Sequence, residues 1–249
     1  RDEFEDISAL DRAALGGHHR VCGLLLSSPK FIAVDRDVDG RTALHHAVDA
    51  DEDVSNEDRL ETCRVLLADG RLDVNASDRH GRRALDYALR SRYYDVCRCL
   101  LSDTRIDVAK KAGERSPLFE LLRAAVASRT PDLETAQFVI EDERLSVAEL
   151  NSSDPATGKT ILHDCCDDEA ICQVLLQSNR FVATNDVDVM GQTALHTAAK
   201  KGHLQKCAAL LAHPEFSAIE AKDGDGMTAE EVATPDAKLA FRAHRRHST

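Results

Sequence analysis

The chain has 249 residues, enough for one sizeable core or two small ones, and it is 43% apolar but only 4% aromatic, with no Trp. Its 44 acidic against 32 basic side chains leave a net charge of -12, which argues against nucleic-acid and anionic-membrane partners. No apolar run approaches the ~18–20 residues of a membrane span, and no signal-peptide pattern opens the chain. The chain begins at Arg1 rather than Met, so it reads as a processed chain or a piece of something longer. With no sign of secretion, its eight cysteines read as free thiols in a reducing, cytoplasmic compartment, and the sequons at Asn75 and Asn151 as chance matches.

Taken in chain order, the predicted elements are one motif repeated. "DISALDRAA" from Asp6, "GRTALHHAV" from Gly40, "GRRALDYAL" from Gly81, "ERSPLFELL" from Glu114, "GKTILHDCC" from Gly158, "GQTALHTAA" from Gly191 and "GMTAEEVAT" from Gly226 start 34, 41, 33, 44, 33 and 35 residues apart. A second signature follows the first six: "VCGLLL", "TCRVLL", "VCRCLL", "AQFVI", "ICQVLL" and "KCAALL". A short polar stretch then leads to the next Gly. Each unit reads as two short helices and a connector. The Thr or Ser after the Gly slot can accept from the orphan N–H groups of the first helix. The Leu two residues later faces a neighbour, and the Leu-Leu run closes the second helix. Such a pair cannot bury its apolar face alone, so the units must stack.

These residues resemble the ankyrin-repeat family over nearly the whole chain. The family pattern is Asp-x-x-Gly-x-Thr-Pro-Leu-His-x-Ala, with Leu-Leu near the end of the second helix. Here Ala43, Ala84, Ile161, Ala194 and Ala229 replace the Pro, and only Pro117 keeps it. The resemblance implies an all-α repeat solenoid of helix-turn-helix units joined by β-hairpin-like loops, forming a single domain over residues 1–249. Extra residues fall between the helices of the second repeat (Asp49 to Glu61) and the fourth ("ASRTPDLET"). The hairpin "NSSDPAT" is lengthened, and the fifth repeat is about two residues short between its helices. Insertions of this kind are either a binding face or tolerated loops.

Several clusters look chemical. "HDCC" at His163–Cys166 invites zinc, but His163 shares a slot with His45 and His196, which the resemblance makes a structural residue bonding the backbone of a neighbouring hairpin. Cys165 and Cys166 take slots filled elsewhere by Ala and Val. Cys22, Cys63, Cys97, Cys172 and Cys207 recur at one slot, which reads as packing, since one ion cannot reach all five. "DRDVDG" from Asp35 matches half of a calcium loop but places His46 where a bidentate Glu is required. "ATGKT" lacks the first Gly of a phosphate loop. The basic "FRAHRRH" closes the last helix, where cations suit the dipole. The sequence therefore predicts no enzyme, metal or cofactor.

What remains is a surface. In the resembled family, hairpin tips and first-helix faces form a groove that binds proteins. Carried onto this chain, the third repeat is basic and aromatic there: Arg79, His80, Arg82, Arg90, Arg92 and Tyr93, preceded by Arg41 and followed by Lys110 and Lys111. Singly these residues read as solvated surface; together they are the candidate interface, over the third and fourth repeats. The expected partner is another protein with an acidic or mixed-charge surface. Two readings stand, an adaptor or scaffold module and a regulatory domain attached in cis to an enzyme or channel.

Overall fold

The computed structural model describes residues 7–30, 36–109, 115–128, 130–165 and 168–247. It divides into two compact units, Arg1–Ala112 and Gly113–Thr249. The first holds α1 (Ala9–Leu15) and α2 (His19–Ser27), α3 (Ala43–Val48) and α4 (Asn56–Leu67), and α5 (Ala84–Ser91) and α6 (Tyr94–Ser102). The second holds α7 (Pro117–Ala127), α8 (Leu133–Glu141), the single turn α9 (Val147–Leu150), α10 (Ile161–Asp164), α11 (Glu169–Gln177), α12 (Ala194–Lys201), α13 (Leu204–Ala212) and α14 (Lys238–His247). Among the described residues there are no strands beyond the isolated antiparallel bridges Ser77–Arg83, Val187–Thr193 and Lys222–Thr228 that pinch the hairpins. The architecture is an all-α repeat solenoid.

The caps form as the repeat pattern predicts, with histidine in place of the usual acid. The Thr193 hydroxyl accepts from the His196 N–H (3.4 Å), and His196 Nδ1 accepts in return from the Thr193 N–H (3.2 Å). Because Nδ1 accepts, Nε2 carries the proton and donates to the Met227 carbonyl of the following hairpin at 3.1 Å. His45 reaches the Arg82 carbonyl (3.1 Å) and His163 the Gln192 carbonyl (2.9 Å) in the same way. One ring thus starts a helix and ties it to the next repeat. Leu44, Leu85, Leu162 and Leu195 are at most 3% exposed between repeats, and the five slot cysteines are fully buried.

Connectors are stitched by two further kinds of side chain. The Asn151 amide donates to the Arg180 carbonyl (2.8 Å) and accepts from the Val182 and Ala183 N–H groups, and Asn75 and Asn185 do the same one connector onward. Arg71 donates to the Leu26 carbonyl (2.7 Å), Arg105 to that of Leu67, and Arg180 to those of Ile140, Asp142 and Leu145. Each guanidinium satisfies orphan carbonyls at or just beyond the preceding second helix.

Two units depart from the helix-pair expectation. In the seventh, turns at 229–232 and 235–237 stand in place of the first helix, because Pro235 lacks an N–H and disfavours helix at Thr234. Glu231 instead accepts from the Thr228 N–H (2.7 Å) and hydroxyl (3.0 Å). In the fifth, α10 stops after one turn at Cys165, and Asp168 caps α11 by accepting from Ile171 N–H (3.0 Å). The second-repeat insertion is shared between loop 49–55 and a longer α4, 12 residues against nine in α6.

Candidate partner-binding site

The predicted surface residues lie on the hairpins before α3 and α5 and at the end of α5. Most of the hairpin charge is matched internally. Asp78 accepts from the His80 and Arg82 N–H groups (2.8 and 2.9 Å) and ion-pairs Arg82 (2.9 Å), while the Tyr87 hydroxyl donates to it at 2.8 Å. Burial would raise the Asp78 carboxyl, but these donors outweigh it and hold it well below the usual carboxylate range. Burial and the same bond push the Tyr87 phenol up to about 12. One hairpin earlier, Asp37 ion-pairs Arg41 (3.0 Å) and accepts from buried His46 (3.0 Å); Arg41 also nears Asp39 and Asp49. Arg79 pairs with Asp39 at 2.7 Å. Asp37, the centre of the calcium-like stretch, therefore spends its oxygens on its own turn; Asp35 lies outside the described residues, as do Lys110 and Lys111.

Arg90 and Arg92 differ. Both are exposed, and neither has an ion-pair partner among the described residues. Arg92 ends α5 at φ 57°, the left-handed conformation, where the first and sixth repeats have Gly17 (φ 67°) and Gly202 (φ 77°). Among the described residues it is the only non-glycine with positive φ. The Arg92 side chain is held there against its backbone preference. Tyr93 follows, half-buried, with the Arg59 guanidinium 4.5 Å above its ring. Arg59 is 3% exposed and donates to the Val48 (2.7 Å) and Ala50 carbonyls, so Tyr93 stands on a rigid platform built by the insertion. Exposed His80 lies beside Arg79 (3.3 Å). Tyr94, the residue after Tyr93, is half-buried.

Two features of the surface were not singled out from the sequence. Val189 (70% exposed) and Met190 (56%) occupy the variable places of the Asp188–Gly191 hairpin, with Val187 beside them, an apolar tip that two hydrophobes inside Asp-x-x-Gly could have signalled. In the first unit a cleft of about 720 Å³ opens between the Gly16–Val21 turn and the insertion, lined by His18, His19, Asp51, Asp53, Val54 and Asp58. Gly17 is required there, since a Cβ would stand 2.5 Å from Val54.

The "HDCC" segment resolves into packing. Both ring nitrogens of His163 are engaged, and burial pulls the ring below the usual histidine range. Cys165 is 1% exposed; Cys166 and Asp167 lie outside the described residues. Among the described residues no group of three or more His, Cys, Asp or Glu side chains is placed to hold a metal ion, and no helix is long and apolar enough to cross a membrane.

The family model for ankyrin repeats (three copies) matches residues 10–112 and 122–229. In structure the chain is similar to the ankyrin repeat domain of Bcl-3, a member of the IkappaB protein family, with a TM-score of 0.61 and 22% identity over 96% of this chain and 100% of that one. It is similar also to the human ASB11 ankyrin repeat domain, with a TM-score of 0.61 and 16% identity over 96% and 98%. At these identities the likeness concerns the fold alone. No curated protein sequence matches the chain.

Proposed function

The chain belongs to the ankyrin-repeat family, whose folds are generally protein–protein interaction modules, and from that premise we propose that it is a non-catalytic module binding a partner protein through the hairpin tips and α5 face of the third repeat. The observation that carries this reading is Arg92, an exposed arginine without an ion-pair partner among the described residues, in a conformation that the first and sixth repeats give to glycine. With Arg90 it offers two guanidinium groups to carboxylates of the partner, and Tyr93 on its Arg59 support offers a preorganised aromatic edge. Arg41, Arg79 and Arg82, matched by their own acids, hold the hairpins in shape and add polar contacts. Lys110 and Lys111 extend the proposed positive surface. The partner is accordingly a protein with an acidic or mixed-charge surface and an apolar anchor, and the association weakens with salt. The setting is cytoplasmic, a reading supported by seven described cysteines that form no disulfide.

The test is affinity capture from a lysate with mass spectrometry, comparing the native chain with a variant carrying Arg90→Ala, Arg92→Ala and Tyr93→Ala. Loss of the same captured protein, with an unchanged melting curve, supports the assigned face. Undiminished capture by that variant, together with loss on deleting residues 50–54, would move the site to the acidic cleft beside the insertion.

A further inference from the structure

We propose that Cys165 and Cys172 form an oxidation site, a thiol pair that a hydroperoxide converts into an intramolecular disulfide with Lys206 assisting. Two departures from the repeat pattern meet here. The slot held by Cys165 is alanine in four other repeats (Ala13, Ala47, Ala88 and Ala198), all buried. Each of those repeats also carries the recurring slot cysteine (Cys22, Cys63, Cys97 or Cys207), so only the fifth repeat has sulfur at both slots. There the two Sγ atoms stand 3.5 Å apart, in contact and not joined by a disulfide. The second departure is Lys206, which fills the slot before Cys207 where other repeats have Val21, Thr62, Val96 or Ile171. Its side chain is 1% exposed, and its Nζ donates to the Cys165 carbonyl at 2.9 Å and the His163 carbonyl at 3.2 Å.

A buried ammonium favours whichever neighbour can become an anion. Desolvation pulls Lys206 below the usual lysine range, and negative charge on Cys165 or Cys172 acts the other way. At the same slot in two other repeats, burial pushes Cys22 up to about 11 and Cys97 up to about 12. Access comes through the end of α10, a single turn held by fewer backbone bonds than the two-turn α12.

The chemistry balances with the oxidant named. The Cys165 thiolate attacks one oxygen of hydrogen peroxide, the O–O bond breaks, and hydroxide leaves and takes a proton to become water. The resulting sulfenic acid is attacked at sulfur by the Cys172 thiolate; the S–O bond breaks, a second water forms and the S–S bond closes. Two electrons pass from the two sulfurs to the peroxide, and a dithiol returns them. The sulfurs must approach from 3.5 Å to about 2.0 Å, a small side-chain movement.

Hydrogen peroxide titrated into the whole chain should lower the free thiols from eight to six and the intact mass by two hydrogens, with peptide mapping joining Cys165 to Cys172. Cys172→Ser should stop at a dimedone-reactive sulfenic acid on Cys165. Lys206→Met should slow closure about tenfold, the effect of one pKa unit. Where that variant melts early, the native chain decides instead: Cys165–Cys172 should be the first bridge formed. The proposal is overturned if half-exposed Cys99 reacts first, if Cys165 bridges another cysteine, or if a folded Lys206→Met variant closes at the native rate.

Discussion

Replacing Arg92 with Gly removes a Cβ from a residue held at φ 57°. The left-handed conformation costs an L-residue ~1–2 kcal/mol, and glycine avoids that cost. Glycine also loosens the unfolded chain, which returns ~0.4–1 kcal/mol. No hydrogen bond or ion pair of the Arg92 side chain is lost among the described residues, so the balance is a stabilisation of about 0.5–1 kcal/mol. In a chain of this size that raises the melting temperature by about 1–4 °C. Arg92→Ala keeps the Cβ and the strain, and should melt within ~1 °C of the native chain. Thermal melts by circular dichroism of the three proteins, with partner capture on the same samples, read both consequences: Arg92→Gly should be firmer and bind less. A glycine variant that melts below the native chain, or an alanine variant stabilised equally, would refute the backbone argument.

Acid should destabilise the fold in two stages. Burial pulls His45 and His163 below the usual histidine range, so below pH ~6.5 the unfolded chain binds more protons than the folded one and stability falls with pH. Asp37 and Asp78 are depressed, and their contribution, present above pH ~3.9, is lost as pH drops through their folded values. Urea midpoints at stepped pH check this; a stability maximum near pH 5 contradicts it. Leu162→Ala should cost ~2–5 kcal/mol, whereas Leu239→Ala, at a half-exposed site, should stay within ~0.5 kcal/mol by denaturant titration. Asn151→Ala should cost ~1–3 kcal/mol, and Asn151→Asp should not restore it, because the donor to the Arg180 carbonyl stays missing. A chelator should leave the melting temperature unchanged, and a fall would revive a metal role for His163 and its neighbours.

What repeats is what the sequence made legible. His45, His163 and His196 stand in one slot, so a single physical account covers all three, and each ring bonds the next hairpin as that account requires. The buried leucines and slot cysteines follow for the same reason. What does not repeat was harder to read. The pairing of Arg41 with Asp37 and Arg82 with Asp78 spans four residues across a hairpin, a spacing visible in the sequence but read there only as positive charge. Arg92 could have been found by laying its stretch against Gly17 and Gly202. The Sγ contact of Cys165 with Cys172 depends on how the end of α10 meets α11, and the path of Lys206 on how α13 packs against α11, which no local pattern encodes.

The asparagine stitches decide where this chain tolerates change in length. Each amide of Asn75, Asn151 and Asn185 grips the backbone of its successor's connector at both its oxygen and its nitrogen, so one added residue there would slide donors past acceptors. The loop at 49–55 meets the first repeat through one backbone bond, Asp51 N–H to the Leu15 carbonyl (3.2 Å), rather than through an asparagine side chain, and the extra length of the second repeat is lodged there and in α4. For anyone grafting a tag or a recognition peptide into this scaffold, the α3–α4 loop, where extra length already stands, suits insertion better than the backbone gripped by an asparagine.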